Sequence, residues 1–130
     1  MGKLAGYNTK QVLVNSSTSA DYTIPALVAP YGGVTITSVV GVSSTTLNAS
    51  TADYFNLVLL NGGTTGTATT AIGTAGGTAG WTAATAKAFS LNTDLDELTA
   101  GQMLMVKYDE TGTVAVADVS VIVTYVEGKG

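Results

Sequence analysis

An all-β sandwich or barrel is the fold class this sequence predicts, on three observations. About seven or eight short segments rich in Val, Ile, Thr and Tyr recur along the chain, and those side chains suit a pleated, half-buried surface. Turn signals built on Gly, Pro, Asn and Asp part these segments at intervals of about 8–15 residues. No segment sustains the apolar period of a long helix. A chain of 130 residues is one domain's worth. The expected layout is an extended N-terminal arm over 1–10 and one β-sandwich domain over 11–130, with a Gly/Thr/Ala-rich excursion at 61–88.

The elements are justified in order. Gly2, Gly6 and Asn8 show little periodicity, hence the arm. Residues 11–15 read as a short strand, followed by the polar turn Ser16-Ser17-Thr18-Ser19. Residues 21–28 read as a strand bent at Pro25, whose missing N–H belongs at an edge or a bulge. Pro30-Tyr31-Gly32-Gly33 is a turn signal. In the strand over 34–42, Val34, Ile36, Val40 and Val42 are expected on one face and Thr35 and Thr37 on the other. Residues 47–52 are a polar connection, and 54–60 a strong strand stopped by Asn61-Gly62-Gly63.

Residues 64–88 are almost wholly Thr, Ala and Gly, with Ile72, Trp81 and Lys87 the exceptions. Two readings stay open: a flexible excursion, or two weak strands near 67–72 and 81–89 joined by a turn over 73–80. β-Branched Thr favours the second. Residues 92–98 carry a helix-start signal, with Asn92 or Thr93 as cap, which Ala100-Gly101 limits to one turn. Residues 103–108 alternate and 109–112 read as a hairpin turn. The longest strand is expected over 114–126, with Val119, Val121, Val123 and Tyr125 on one side.

Composition excludes whole function classes. The chain holds 22 Thr, 17 Ala, 16 Gly and 15 Val, while charged residues make up 11%. There are five Lys and nine acids, a net charge of −4, and no Arg, His or Cys. That removes thiolate zinc sites, disulfides, Cys nucleophiles and imidazole bases. It also removes the bidentate Arg clamp for phosphate or carboxylate. An acidic chain with scattered Lys is a poor match for nucleic acid. Apolar stretches break within about eight residues, short of the ~20 a spanning helix needs. Residues 1–6 lead into no long apolar run, so neither a signal peptide nor a membrane partner is expected. The absence of Cys fits synthesis in the cytosol.

No catalytic constellation is complete. None of Lys3, Lys10, Lys87, Lys107 and Lys129 stands in a Ser-x-x-Lys pattern. Asp94, Asp96 and Glu97, and Asp109 beside Glu110, are the paired carboxylates a glycosidase uses. Both groups fall in predicted turns, where acids are ordinarily solvated. Asn92, Asp94 and Asp96 have the first three offsets of an EF-hand loop, which then fails at Glu97 and Met103. The Gly-rich stretches at 62–63 and 76–80 fit no phosphate-binding fingerprint. No enzyme, cofactor or metal is therefore expected. Four residues are candidate contact anchors: Leu4 and Tyr7 on the arm, Tyr31 in the first turn, and Trp81. Trp81 is either an interface anchor, a role in which Trp is enriched, or a plug in the core. Tyr7 and Tyr31 have the same two readings.

Several segments, taken in order, carry a resemblance. They are Ile24-Pro25-Ala26 leading to Tyr31-Gly32-Gly33-Val34-Thr35-Ile36, then Ala49-Ser50-Thr51-Ala52-Asp53-Tyr54-Phe55-Asn56-Leu57-Val58-Leu59. Leu98-Thr99-Ala100-Gly101-Gln102-Met103-Leu104-Met105-Val106 and Asp118-Val119-Ser120-Val121-Ile122-Val123-Thr124-Tyr125-Val126 follow. The chain resembles a tailed-bacteriophage capsid decoration (cement) protein. The resemblance implies a jelly-roll-like β-sandwich, usually trimeric or dimeric, bound to the major capsid protein on the outside of the virion. Such proteins brace the shell against internal DNA pressure, and their N-terminal arm often reaches neighbouring subunits, a part residues 1–10 would play here. On this resemblance the chain is made in the cytoplasm of a bacterial host, assembles as a trimer rather than a dimer, and carries no catalytic residue. The alternative is a receptor- or glycan-binding β-sandwich of a phage fibre or head, with binding centred on Trp81 and the Gly-rich loops.

Overall fold

The computed structural model describes residues 7–15, 20–115 and 117–128. Among them are ten strands and no helix. The strands are β1 (Tyr7–Asn15), β2 (Tyr22–Val28), β3 (Val34–Ser43), β4 (Tyr54–Asn61) and β5 (Thr70–Ala75). Then follow β6 (Ala86–Ala88), β7 (Ser90–Leu91), β8 (Glu97–Leu98), β9 (Met103–Thr111) and β10 (Asp118–Glu127). They form two antiparallel sheets. The first has the order β1-β10-β3-β6, with β8 also on β3, and the second β2-β9-β4-β5-β7. The pairs β1/β10, β2/β9, β3 with β8 and β6, and β4/β5 nest one inside the next. That winding is a jelly roll, the double-sheet solution to an antiparallel ribbon rolled on itself.

Alternation builds the core. Val119, Val121 and Val123 of β10 point inward between Ser120, Ile122 and Thr124. Leu104, Val106 and Tyr108 of β9 meet them from the facing sheet, beside Phe55, Leu57 and Leu59 of β4. Each such side chain contributes about 1.5–3 kcal/mol on full burial. The core is mostly aliphatic, as the composition predicts, but not wholly. Tyr22, Tyr108, Phe55 and Trp81 form a chain of ring contacts through it, with centroids 5.3, 5.1 and 5.5 Å apart.

Several boundaries and faces differ from the sequence expectation. The first strand begins at Tyr7, so residues 7–10 pair with 123–126 rather than leaving the body as an arm. Leu4 and the rest of 1–6 lie outside the described residues. Pro25 sits on an edge strand beside a register shift, as its missing N–H requires. In β3 the predicted single face is broken by a bulge at Thr37, since Thr124 opposes Ser38 while Tyr125 opposes Ile36. An extra residue inverts the alternation. Val34 and Ile36 stay inside, whereas Val39 takes the inward place expected of Val40.

The low-complexity stretch holds strands β5 and β6, closer to the two-strand reading than to the flexible one. Its Gly73-Thr74-Ala75 belong to β5, so the connection spans 76–85 instead of 73–80. The expected helical turn is absent: Asn92 Oδ1 accepts from the Asp94 N–H at 3.0 Å, capping a tight turn, and Glu97–Leu98 pair with β3. Residues 109–111 extend β9 opposite 54–56, which displaces the expected hairpin turn. The last strand starts at Asp118 rather than 114.

Candidate interaction surface

The sandwich has two ends. One is formed by the connections 29–33, 62–69 and 92–102 together with Gly128, where β1 and β3 begin and β2, β4 and β10 finish. The other is formed by 44–53, 76–85 and 112–115. Candidate anchors fall on both.

Trp81 lies at the second end and is 3% exposed. It bridges to Leu47 by paired backbone bonds of 2.9 and 2.8 Å, and its ring stacks on Phe55 at an interplanar angle of 14°. Lys87 Nζ lies 4.4 Å from the ring centroid while donating to the carbonyls of Gly76 (2.8 Å) and Gly80 (2.6 Å). Partial burial lowers the Lys87 pKa. Gly41 makes the ring's position possible, because a Cβ there would stand 3.0 Å from Trp81 Cζ3. The indole N–H has no acceptor among the described residues. Trp81 is therefore a core plug, and the reading of it as an exposed anchor or sugar-stacking platform is corrected. A lone Trp among small residues signals both roles equally; only the neighbours that close over it distinguish them.

A cavity of about 210 Å³ adjoins this plug, lined by Phe55, Trp81, Val114, Ser50 and Asp53 among others. Two of its polar side chains, Ser50 and Asp53, hold loops. Ser50 Oγ accepts from the N–H groups of Ala52 and Asp53, and Asp53 Oδ1 accepts from Thr113 N–H at 2.9 Å. On the same side of the molecule Tyr108, fully buried, donates its hydroxyl to the Glu110 carboxylate. Burial first, then that hydrogen bond and the charge of Glu110, push the Tyr108 pKa upward. Among the described residues no three acidic side chains converge in a way that could hold a metal ion.

Neither a family model nor a curated protein matches this chain. A solved structure does. A chain of the cyanophage Pam1 capsid asymmetric unit shares its fold with a TM-score of 0.59 over 96% of this chain and 89% of that one, at 18% identity.

The first end presents a different surface. Tyr31 is 98% exposed. Its turn is closed by a 2.9 Å bond from Gly33 N–H to the Pro30 carbonyl, which needs the left-handed φ of +94° at Gly32. Ala29 exchanges 2.8 Å bonds with the 101–102 turn, and Gly128 N–H donates to the Gly33 carbonyl at 2.7 Å. The ring thus stands on a braced post. Tyr7, Val28 and Leu95, also exposed, belong to the same end, so four of the five large exposed hydrophobics among the described residues fall there. Sequence reasoning had singled out Tyr7 and Tyr31 but not Val28 or Leu95, which read as an ordinary strand residue and a turn residue.

Proposed function

We propose that this chain is a non-catalytic structural protein of a bacteriophage virion, seated on the outer surface of the capsid and stabilising it. The observation that carries this reading is the agreement of its jelly roll, over 96% of its length, with a chain of a cyanophage capsid asymmetric unit. Two features support it. The chain has no His, Cys or Arg. Ser50 and Asp53 beside its cavity are engaged in loop structure, while apolar side chains are exposed at the opposite end. Its partners are the major capsid protein and further copies of itself, in a trimer, and it is made in the cytoplasm of the bacterial host.

The test is reconstitution. Purified protein, whose mass in solution is measured by sedimentation, is added to capsids of the encoding phage that lack it. It is expected to sediment as a trimer, bind the capsids and raise the temperature at which they release DNA. Capsids that neither bind it nor gain resistance would end this reading.

A further inference from the structure

We propose that the end carrying Tyr31 is the docking surface, and that the partner surface it fits is electropositive around an apolar recess that receives the Tyr31 ring. The partner's identity as a capsid protein rests on the preceding reading; the surface and its chemistry rest on the following observations. An aromatic ring 98% exposed to water is costly to leave unpaired in a chain with only nine aromatics. Its turn is fixed on both sides by backbone hydrogen bonds to the 101–102 turn and to Gly128. A turn whose backbone is fixed before binding leaves only the torsions of the side chain itself to be ordered when the ring is buried, which favours Tyr as a dominant contact. Val28, where β2 finishes, and Tyr7, where β1 begins, add exposed apolar surface at the same end.

Charge selects the kind of partner. Among the described residues, the ionised side chains at this end are Asp94, Asp96, Glu97 and Glu127, all negative. The described lysines lie elsewhere: Lys10 and Lys107 in the middle of strands and Lys87 against Trp81. Lys3 and Lys129 lie outside the described residues. Four carboxylates at the same end as the exposed ring favour a cationic surface opposite, and penalise an acidic one.

The experiment uses the full chain and capsids of the encoding phage that lack it, with affinity measured across a range of salt. Wild-type binding is expected to weaken as salt rises. Tyr31→Ser should weaken binding about tenfold or more at every salt concentration. Glu127→Lys should weaken it several-fold at low salt and flatten the salt dependence, while Asp109→Lys, the same change of charge at the other end, should leave both alone. Melting temperatures establish that each variant is folded. A Tyr31→Ser variant that binds like wild type, an affinity indifferent to salt, or an Asp109→Lys variant as weak as Glu127→Lys each overturns the docking surface while leaving capsid binding intact. Wild-type protein that does not bind capsids at all overturns both readings.

Discussion

The two ends of this sandwich use the same small vocabulary of residues to opposite effect. At the Trp81 end, side chains turn back on the backbone: Ser50 braces its own loop, Asp53, Asn56 and Lys87 each bond a neighbouring loop, and the largest side chain of the molecule is closed over. At the Tyr31 end the loops are braced mainly by backbone bonds, which leaves side chains free to face outward. A thin aliphatic core gains from one tight knot of aromatic rings, and once that knot is made, aromatic surface elsewhere is available for contact. An aromatic residue beside glycines is thus a structural plug at one end, as Trp81, and stands exposed at the other, as Tyr31.

Removing the plug should have the largest effect. Trp81→Ala is expected to cost about 3–5 kcal/mol, as truncations of large buried rings do, read as a shift in denaturant midpoint by circular dichroism. Trp81→Phe should cost clearly less, because the N–H it deletes is unpaired and its loss relieves a buried donor. If the two variants lose equal stability, a smaller ring at this position gains nothing from Phe55, and the stack is not what stabilises this end. Next comes Gly41→Ala. The added methyl would press on Trp81 Cζ3 at 3.0 Å and Cη2 at 3.1 Å, so a loss of about 1–3 kcal/mol is expected from overpacking. A neutral or stabilised variant would show that the ring has room to retreat.

Alkaline titration sharpens the comparison further. The folded state holds Tyr108 neutral above its ordinary pKa of 10.0, whereas the unfolded chain releases that proton near the ordinary value. The contribution of Tyr108 is therefore fully present below about pH 10 and is lost as the pH climbs above it. Lys87 acts in the opposite sense: its charged form is disfavoured on folding, so the penalty fades as the pH rises toward 10.5. Stability measured from neutral pH upward should fall past about pH 10 in the wild type and fall less in Tyr108→Phe. Parallel profiles would place the loss elsewhere. The smallest effect on folding belongs to the far end, where Tyr31→Ser should change stability by no more than about 0.5 kcal/mol. A larger loss would mean that this ring is part of the core.

Much of the fold was legible because strands with one buried face announce themselves. The alternation of β4, β9 and β10 located those strands within a few residues. What the sequence hid depended on partners. Nothing local in Thr35-Ile36-Thr37-Ser38 says that Thr37 bulges; the extra residue is visible only against Tyr125 and Thr124 of β10. Tyr7–Lys10 read as part of an arm because Gly2, Gly6 and Asn8 show little periodicity, yet an edge strand with a solvated face shows little apolar periodicity too. The acids at 94–97 looked like a helix start because Asn92 caps a tight turn with the same bond it would use on a helix. For the surface, the sequence left both readings open for Tyr31 and for Trp81: Tyr31 stands clear on its Pro30–Gly33 turn, whereas the burial of Trp81 required Phe55, Gly41 and Leu47 to converge on it from three distant stretches of chain.

The sequestered indole also supplies a built-in optical reporter. The chain has one tryptophan, stacked on Phe55, close to a lysine ammonium and almost dry. Its emission colour and intensity should change sharply when the knot comes apart and stay constant when something lands on the remote end. A single spectrum can then tell a variant that has lost its grip from one that has lost its shape, with no dye attached.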